Sequence, residues 1–254
     1  MLIDEGHDFA PDWLKLAVQM LDPATNHLLL LYDDAQSIYG EKRPKSFSFR
    51  GVGIAAAGRT KILRLNYRNT REILACASGF ARELLAPVDA DEDGIPLLAP
   101  QAGGRNGARP RFLQAASVKV EAQHIARELK AQQASGVAWN EMGVFYTAPF
   151  LAEEIAAALQ AENVPFDWLK DAASKSVDPS RPTVKLMTPH SSKGLQYRVV
   201  VIGGVGFWPY ATAHQTESDQ ARLLYVAMTR ATHELVVTSS RGSRFSERLR
   251  GLCA

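Results

Sequence analysis

The sequence predicts an α/β fold, a parallel sheet covered by helices, and three observations carry that prediction. Apolar runs rich in Val, Ile and Leu recur along the chain, several of them apolar on both faces, as strands covered on two sides require. Segments with apolar residues at three-to-four spacing lie between them, the mark of amphipathic helices. The two kinds alternate, which is the pattern of right-handed crossover units.

A short apolar strand opens the chain in "MLIDEGHDF" and ends on the pair Asp4-Glu5. Further strands are expected at 27–34, 60–67, 109–117, 142–148, 183–189, 198–205 and 233–240. Helices are expected at 70–85, where the capping-type pair Asn69-Thr70 starts the first turn, and at 119–133, 149–163 and 217–231. Residues 86–110 concentrate Pro, Gly and acidic side chains without a sustained period and read as a long surface excursion. Residues 171–182 read as a shorter loop, and no internal repeat or low-complexity tract is present.

Composition narrows the function classes. With 254 residues, 46% of them hydrophobic, the chain can bury one large core or two smaller ones. Lys and Arg total 29 against 27 Asp and Glu, a net charge of +2, so a nucleic-acid surface has to be local. Cys76 and Cys253 lie far apart in sequence and match no zinc or redox spacing, so unpaired thiols in a reducing cytosol are expected. The apolar runs fall short of the roughly 20 residues of a membrane span, so a cytoplasmic protein with no membrane partner is expected.

Five stretches carry chemistry, in this order. Asp4 and Glu5 sit at a strand end, where one carboxylate can hold a magnesium ion through water and the other can polarise an attacking water. Asp33-Asp34 end the next strand and are followed by Gln36, an amide that both accepts and donates. "LRLNYRNTREIL" places Tyr67 and Arg68 between a strand and a helix. "VKLMTPHSSKGLQYRVVVI" sets hydroxyl residues, His190 and Lys193-Gly194 between two strands, and "ARLLYVAMTRATHELVV" puts Arg230 at a helix end just before a strand. Taken singly, each has an ordinary structural reading: a solvated turn, a packing aromatic, a surface arginine, a loop histidine.

Together the five resemble the motifs of the UvrD/Rep-type superfamily 1 DNA helicases, from the Walker B pair to the final arginine motif, in family order. The segment "MGVFYTAPFLAEEIAAALQAENVPF" resembles the strand, helix and turn that precede the second-lobe motifs. The resemblance implies a RecA-like P-loop NTPase fold: residues 1–66 as the last strands of a first lobe, residues 67–254 as a complete second lobe. It implies ATP and Mg2+ as cofactors, bound between the lobes, and single-stranded DNA as partner. Asp4 and Glu5 would be the magnesium and water-activating carboxylates, and Gln36 the sensor of the γ-phosphate. Tyr67 would stack on adenine, Arg68 and Arg230 would reach the γ-phosphate, and Gln196 stands where a ribose-gripping Glu is usual. Thr188, His190 and Ser192 would contact the DNA backbone, with Phe49 as a base-stacking residue and Arg50 as its neighbour.

The chain departs from the family pattern at several points. His7 replaces a Gln, Asp33-Asp34 replaces Gly-Asp, and "GEKRPKSFS" is inserted after Tyr39, bringing Lys42, Arg43 and Lys45. The large helical subdomain often found before "TVKLMTP" is reduced to the loop at 171–182. No Gly-Lys dipeptide occurs anywhere, so the chain has no Walker A loop. The expectation is therefore the C-terminal portion of a 3′-to-5′ DNA helicase, inactive alone and completed by a missing N-terminal half. Two alternatives stand beside it: a non-catalytic remnant that binds DNA or a partner, and a lobe that completes its ATP site with another polypeptide.

Overall fold

The structure, a computed structural model, describes residues 1–6, 9–32, 48–61, 65–84, 101–169, 178, 180–210 and 216–253. The chain divides into two compact units, Met1–Arg64 with Ala86–Pro100, and Leu65–Leu85 with Gln101–Ala254.

In the first unit, β1 (Leu2–Ile3) pairs in parallel with β2 (Leu29–Leu30), and α1 (Pro11–Gln19) lies between them in sequence. Pro11 takes the first turn of α1, where its missing N–H would have had no intrahelical partner. Leu14 is buried with Ile3 and Val52, and Phe9, Ala17, Leu28, Leu30 and Ile54 close this small core. Helix α1 escapes the sequence reading because Trp13 and Leu16, two of its largest apolar residues, and its C-cap Met20 face solvent and blur the period. The strand expected at 27–34 is two residues long, and its end beyond Tyr32 lies outside the described residues.

The second unit holds, in chain order, β3 (Leu65–Asn66), α2 (Arg71–Leu84), β4 (Gln101–Ala102), β5 (Arg111–Gln114), α3 (Val118–Ala134), β6 (Met142–Tyr146) and α4 (Pro149–Ala161). It continues with β7 (Phe166–Leu169), β8 (Val184–Met187), β9 (Tyr197–Gly203), α5 (Glu217–Met228), β10 (Ala231–Ser239) and α6 (Arg244–Leu252). Six strands form one sheet in the order β5-β10-β9-β6-β8-β7, with every neighbouring pair parallel.

The near-continuous apolar runs explain that sheet. Val199 and Val201 of β9, Val144 of β6 and Val236 of β10 pack with Ile125 and Leu129 of α3 and Leu151, Ile155 and Leu159 of α4. By strand alternation, Val200, Ile202, Leu235 and Val237 point to the opposite face and are equally buried. Helices α2 and α5 pack on each other, and α5 packs on β9 and β10. The predicted class is therefore observed: an α/β unit with a six-stranded parallel sheet flanked by helices. Among the described residues no helix is long and apolar enough to cross a membrane.

Three local expectations change. The turn expected at the end of "ALQAENVPF" runs straight into β7, an edge strand paired with β8. The excursion expected at 86–110 ends earlier, because β4 pairs with β3 and residues 103–110 follow it as described chain. Helix α6 is too polar to stand out in the sequence, yet it buries Phe245 and Leu249 on one stripe.

Candidate nucleotide and nucleic-acid site

The turn after β3 is built by an asparagine. The Oδ1 of Asn66 accepts the backbone N–H groups of Arg68 at 2.8 Å and Asn69 at 3.1 Å, and its Nδ2 donates to Asn69 Oδ1 at 2.8 Å. This Asx-type closure presents Tyr67, 70% exposed, with its ring available for stacking, beside an exposed Arg68. Asn69 itself is buried, and its Nδ2 donates to the carbonyls of Thr229 at 2.8 Å and Ala231 at 2.6 Å, 160 and 162 positions away. Arg105 adds a second tie, donating from Nη2 to the Arg68 carbonyl at 2.8 Å and to the Thr232 carbonyl. The segments carrying Tyr67, Arg68 and Arg230 are thus bound into one junction.

Arg230 corrects an expectation. Its position at the end of α5 suggests a guanidinium projecting from the lobe's edge, but the residue is only 2% exposed. Its Nε donates to the Val226 carbonyl at 3.1 Å, and the Thr229 hydroxyl donates to the same oxygen at 2.9 Å. Carbonyls in the last turn of a helix lack intrahelical partners, and these two side chains answer that need. The Arg230 carbonyl accepts the Tyr197 N–H at 3.0 Å, which ties the start of β9 to the same place.

In the first unit, Asp4 is exposed and its Oδ1 accepts the Glu5 N–H at 2.9 Å. Glu5 has φ of 51°, a left-handed conformation rare for a residue with a side chain and a recurrent feature of functional sites. Gly6 follows with its N–H on the Leu31 carbonyl at 2.8 Å, and a Cβ there would lie 2.3 Å from Leu30 Cδ1, so a side chain would have to displace Leu30. His7, Asp33, Asp34, Gln36, Lys42, Arg43 and Lys45 lie outside the described residues. Phe49 does not offer a stacking face: it is buried and meets Tyr32 edge to face at 5.2 Å. Arg50 is exposed at the start of the turn Arg50–Val52.

The third cluster follows β8. Thr188 is partly buried, its Oγ1 accepting the Ser191 N–H at 3.3 Å and lying 3.0 Å from the Ser191 hydroxyl. Ser192 is buried and donates its hydroxyl to the Pro189 carbonyl at 2.7 Å, so it shapes the turn His190–Ser192 rather than facing a ligand. His190 is partly exposed, and burial of its ring holds its pKa below the ordinary histidine value. Gln196 is exposed just before β9. A buried carboxylate with no sequence signal lies nearby in the fold: Glu121 of α3 accepts the Gly204 N–H at 2.8 Å and the Thr238 hydroxyl at 2.6 Å. It binds the C-terminal ends of β9 and β10 at the sheet edge where α/β folds place ligands.

The fit to ATP and magnesium is partial. Tyr67 and Arg68 are open to a nucleotide, whereas Arg230 is buried with its Nε on the Val226 carbonyl. No group of three or more His, Cys, Asp or Glu that would hold a metal occurs among the described residues. Two carboxylates suit Mg2+ only when waters and substrate phosphates complete its octahedron.

The six-stranded parallel sheet flanked by helices defines the class: an α/β lobe similar in fold to a helicase C-terminal domain. The family model of the UvrD-like helicase C-terminal domain matches residues 183–238, the span from β8 to β10, which bears out the resemblance read from the motifs. A probable DNA helicase of Mycoplasma pneumoniae is 25% identical over 247 residues, 94% of this chain and 43% of that protein. The chain thus spans less than half the length of this relative. The C-terminal domain of a possible DNA helicase from Lactobacillus plantarum WCFS1 has the same fold, with a TM-score of 0.51 at 17% identity over 74% of this chain and 96% of that one.

Proposed function

We propose that residues 67–254 serve as the second RecA-like lobe, and residues 1–66 as the last strands of the first, of an ATP-dependent 3′-to-5′ DNA helicase or single-stranded DNA translocase of UvrD/Rep type. The observation that carries this reading is the hydrogen-bonded junction of the Tyr67-Arg68 turn with residues 229–232. It holds an open aromatic platform and the arginine segments in one place, as a lobe that senses nucleotide needs. Tyr67 stacks on the base, Arg68 and Arg230 donate to phosphate oxygens, and Gln196 faces the ribose. Asp4 and Glu5 hold the metal and the attacking water, with Gln36 at the γ-phosphate. Bound ATP and Mg2+ supply the phosphoryl group and the neutralisation of its charge. Single-stranded DNA runs over the turn that carries Thr188 and His190. Lacking a Gly-Lys phosphate loop, these residues do not hydrolyse ATP by themselves.

The test joins this chain to the N-terminal half of a related helicase that carries a Gly-Lys-Thr loop. DNA-stimulated hydrolysis is expected from the hybrid and background turnover from the chain alone. Arg230→Ala should lower hydrolysis by about 10³-fold or more, with a far smaller change in ATP affinity. Turnover by the chain alone, lost on Glu5→Gln, would overturn the inactivity. The burial of Arg230 favours a second reading, a non-catalytic protein that binds single-stranded DNA or a partner. An Arg230→Ala hybrid within a few-fold of its parent would decide for the arginine as a helix cap only.

A further inference from the structure

Helix α2 places Cys76, Gly79 and Phe80 on one stripe, and α6 packs along it. Phe80 meets Phe245 edge to face at 5.1 Å, and Arg248 donates from Nη2 to the Gly79 carbonyl at 2.7 Å. Leu252 of α6 also lies over Gly79, where a Cβ would come 2.9 Å from its Cδ2. At the end of this seam the Sγ atoms of Cys76 and Cys253 are 3.1 Å apart, although 177 positions separate them in sequence. Both residues are buried, and they are the two cysteines of the chain.

We propose that Cys76 and Cys253 form a reversible disulfide site, closed by a peroxide or a small-molecule disulfide, that staples α6 to α2. The sulfurs need to close from 3.1 Å to about 2.0 Å, a shift of roughly 1 Å between helices whose approach is already set by three other contacts. With hydrogen peroxide, one thiolate attacks a peroxide oxygen, giving a sulfenic acid and one water. The second sulfur then displaces the hydroxyl from the first, forming the S–S bond and releasing a second water. Two thiols lose two electrons and two protons, and one peroxide becomes two waters. With a small disulfide, two exchange steps release two small thiols. The hydrogen bond with Cys253, burial and the neighbouring charge all push the Cys76 thiol far up, so closure is slow at neutral pH and quickens as pH rises. The staple joins the helix that follows the Tyr67-Arg68 turn to the helix that follows β10, and it stands whether or not the lobe acts in a helicase.

The experiment uses the whole chain, reduced, freed of reductant and treated in its folded state with hydrogen peroxide or oxidised glutathione. Titratable thiols, counted after denaturation, should fall from two to none, and a peptide linking Cys76 to Cys253 should appear by mass spectrometry. The unfolding midpoint should rise by about 5–15 °C, and dithiothreitol should reverse every change. Cys253→Ser should leave one thiol and abolish the midpoint shift. Two thiols that persist in the folded protein, oxidation to sulfinic acid without an S–S bond, or a bond formed only between chains would each overturn the proposal.

Discussion

Asn69 uses both ends of one amide, its Oδ1 accepting the Asn66 Nδ2 and its Nδ2 donating to two distant carbonyls. Of the capping-type pair Asn69-Thr70 it is Thr70 that caps α2, its Oγ1 accepting the Ile73 N–H at 3.4 Å. The Asn69 amide turns instead to the Thr229 and Ala231 carbonyls in a site closed to water. Asn69→Ala leaves both carbonyls without that donor, and each orphaned buried group costs about 1–3 kcal/mol. The variant should lose about 2–3 kcal/mol of stability in urea denaturation. A loss under about 0.5 kcal/mol would mean that Arg105 and packing hold the junction without it. Arg105 is equally invisible in the sequence, because it sits in a segment with no period and acts through two backbone carbonyls.

At the scale of the element, β7 is a four-residue edge strand held by charge. Asp167 stands opposite Lys185 of β8 in the register, and Lys185 Nζ lies 2.7 Å from both Asp167 Oδ2 and Thr183 Oγ1. Arg181 Nη1 lies 3.2 Å from Asp167 Oδ1. Burial pushes the Asp167 carboxyl up, but the hydrogen bonds from Lys185 and Thr183 and the charges of Lys185 and Arg181 outweigh it and hold the pKa below the usual 3.8. The Lys185 side chain is only 2% exposed, so removing its partner strands a buried charge. Asp167→Ala should therefore cost about 3 kcal/mol, more than Lys185→Met, which removes the charge along with the bond. The pH dependence has a definite sign. The stabilisation is complete above the unfolded value near 3.8 and is lost as pH falls toward the depressed folded value. Urea titrations between about pH 2 and 5 should show that slope in the parent and lack this part of it in Asp167→Ala. An identical slope in both proteins would remove Asp167 from the account.

The whole molecule carries a net charge of only +2, so affinity for DNA has to come from a few local contacts. On the proposed reading, two or three phosphates are met, and raising salt from 50 to 200 mM should weaken binding about 5- to 20-fold. Anisotropy of a labelled oligothymidine measures this directly. Affinity that does not change with salt would count against a phosphate-contacting surface.

Much of the architecture at this scale was legible in one dimension. Alternation of apolar runs with amphipathic segments is a local property, and it placed all of the major strands and helices except α1, β7 and α6. Motif order is also a property of the string, and so is the want of a Gly-Lys dipeptide; together these determined the helicase resemblance and the expectation of an incomplete ATP site. Only the tertiary structure decided where the side chains point. Arg230 is buried and places its Nε on the Val226 carbonyl, Ser192 turns in to the Pro189 carbonyl, and Phe49 is buried edge to face against Tyr32. The two thiols meet because α6 packs along α2, with Phe245 against Phe80 and Arg248 on the Gly79 carbonyl. Each outcome depends on which polar groups lack partners and which surfaces are in reach once distant segments have packed, and neither quantity exists until the chain has folded.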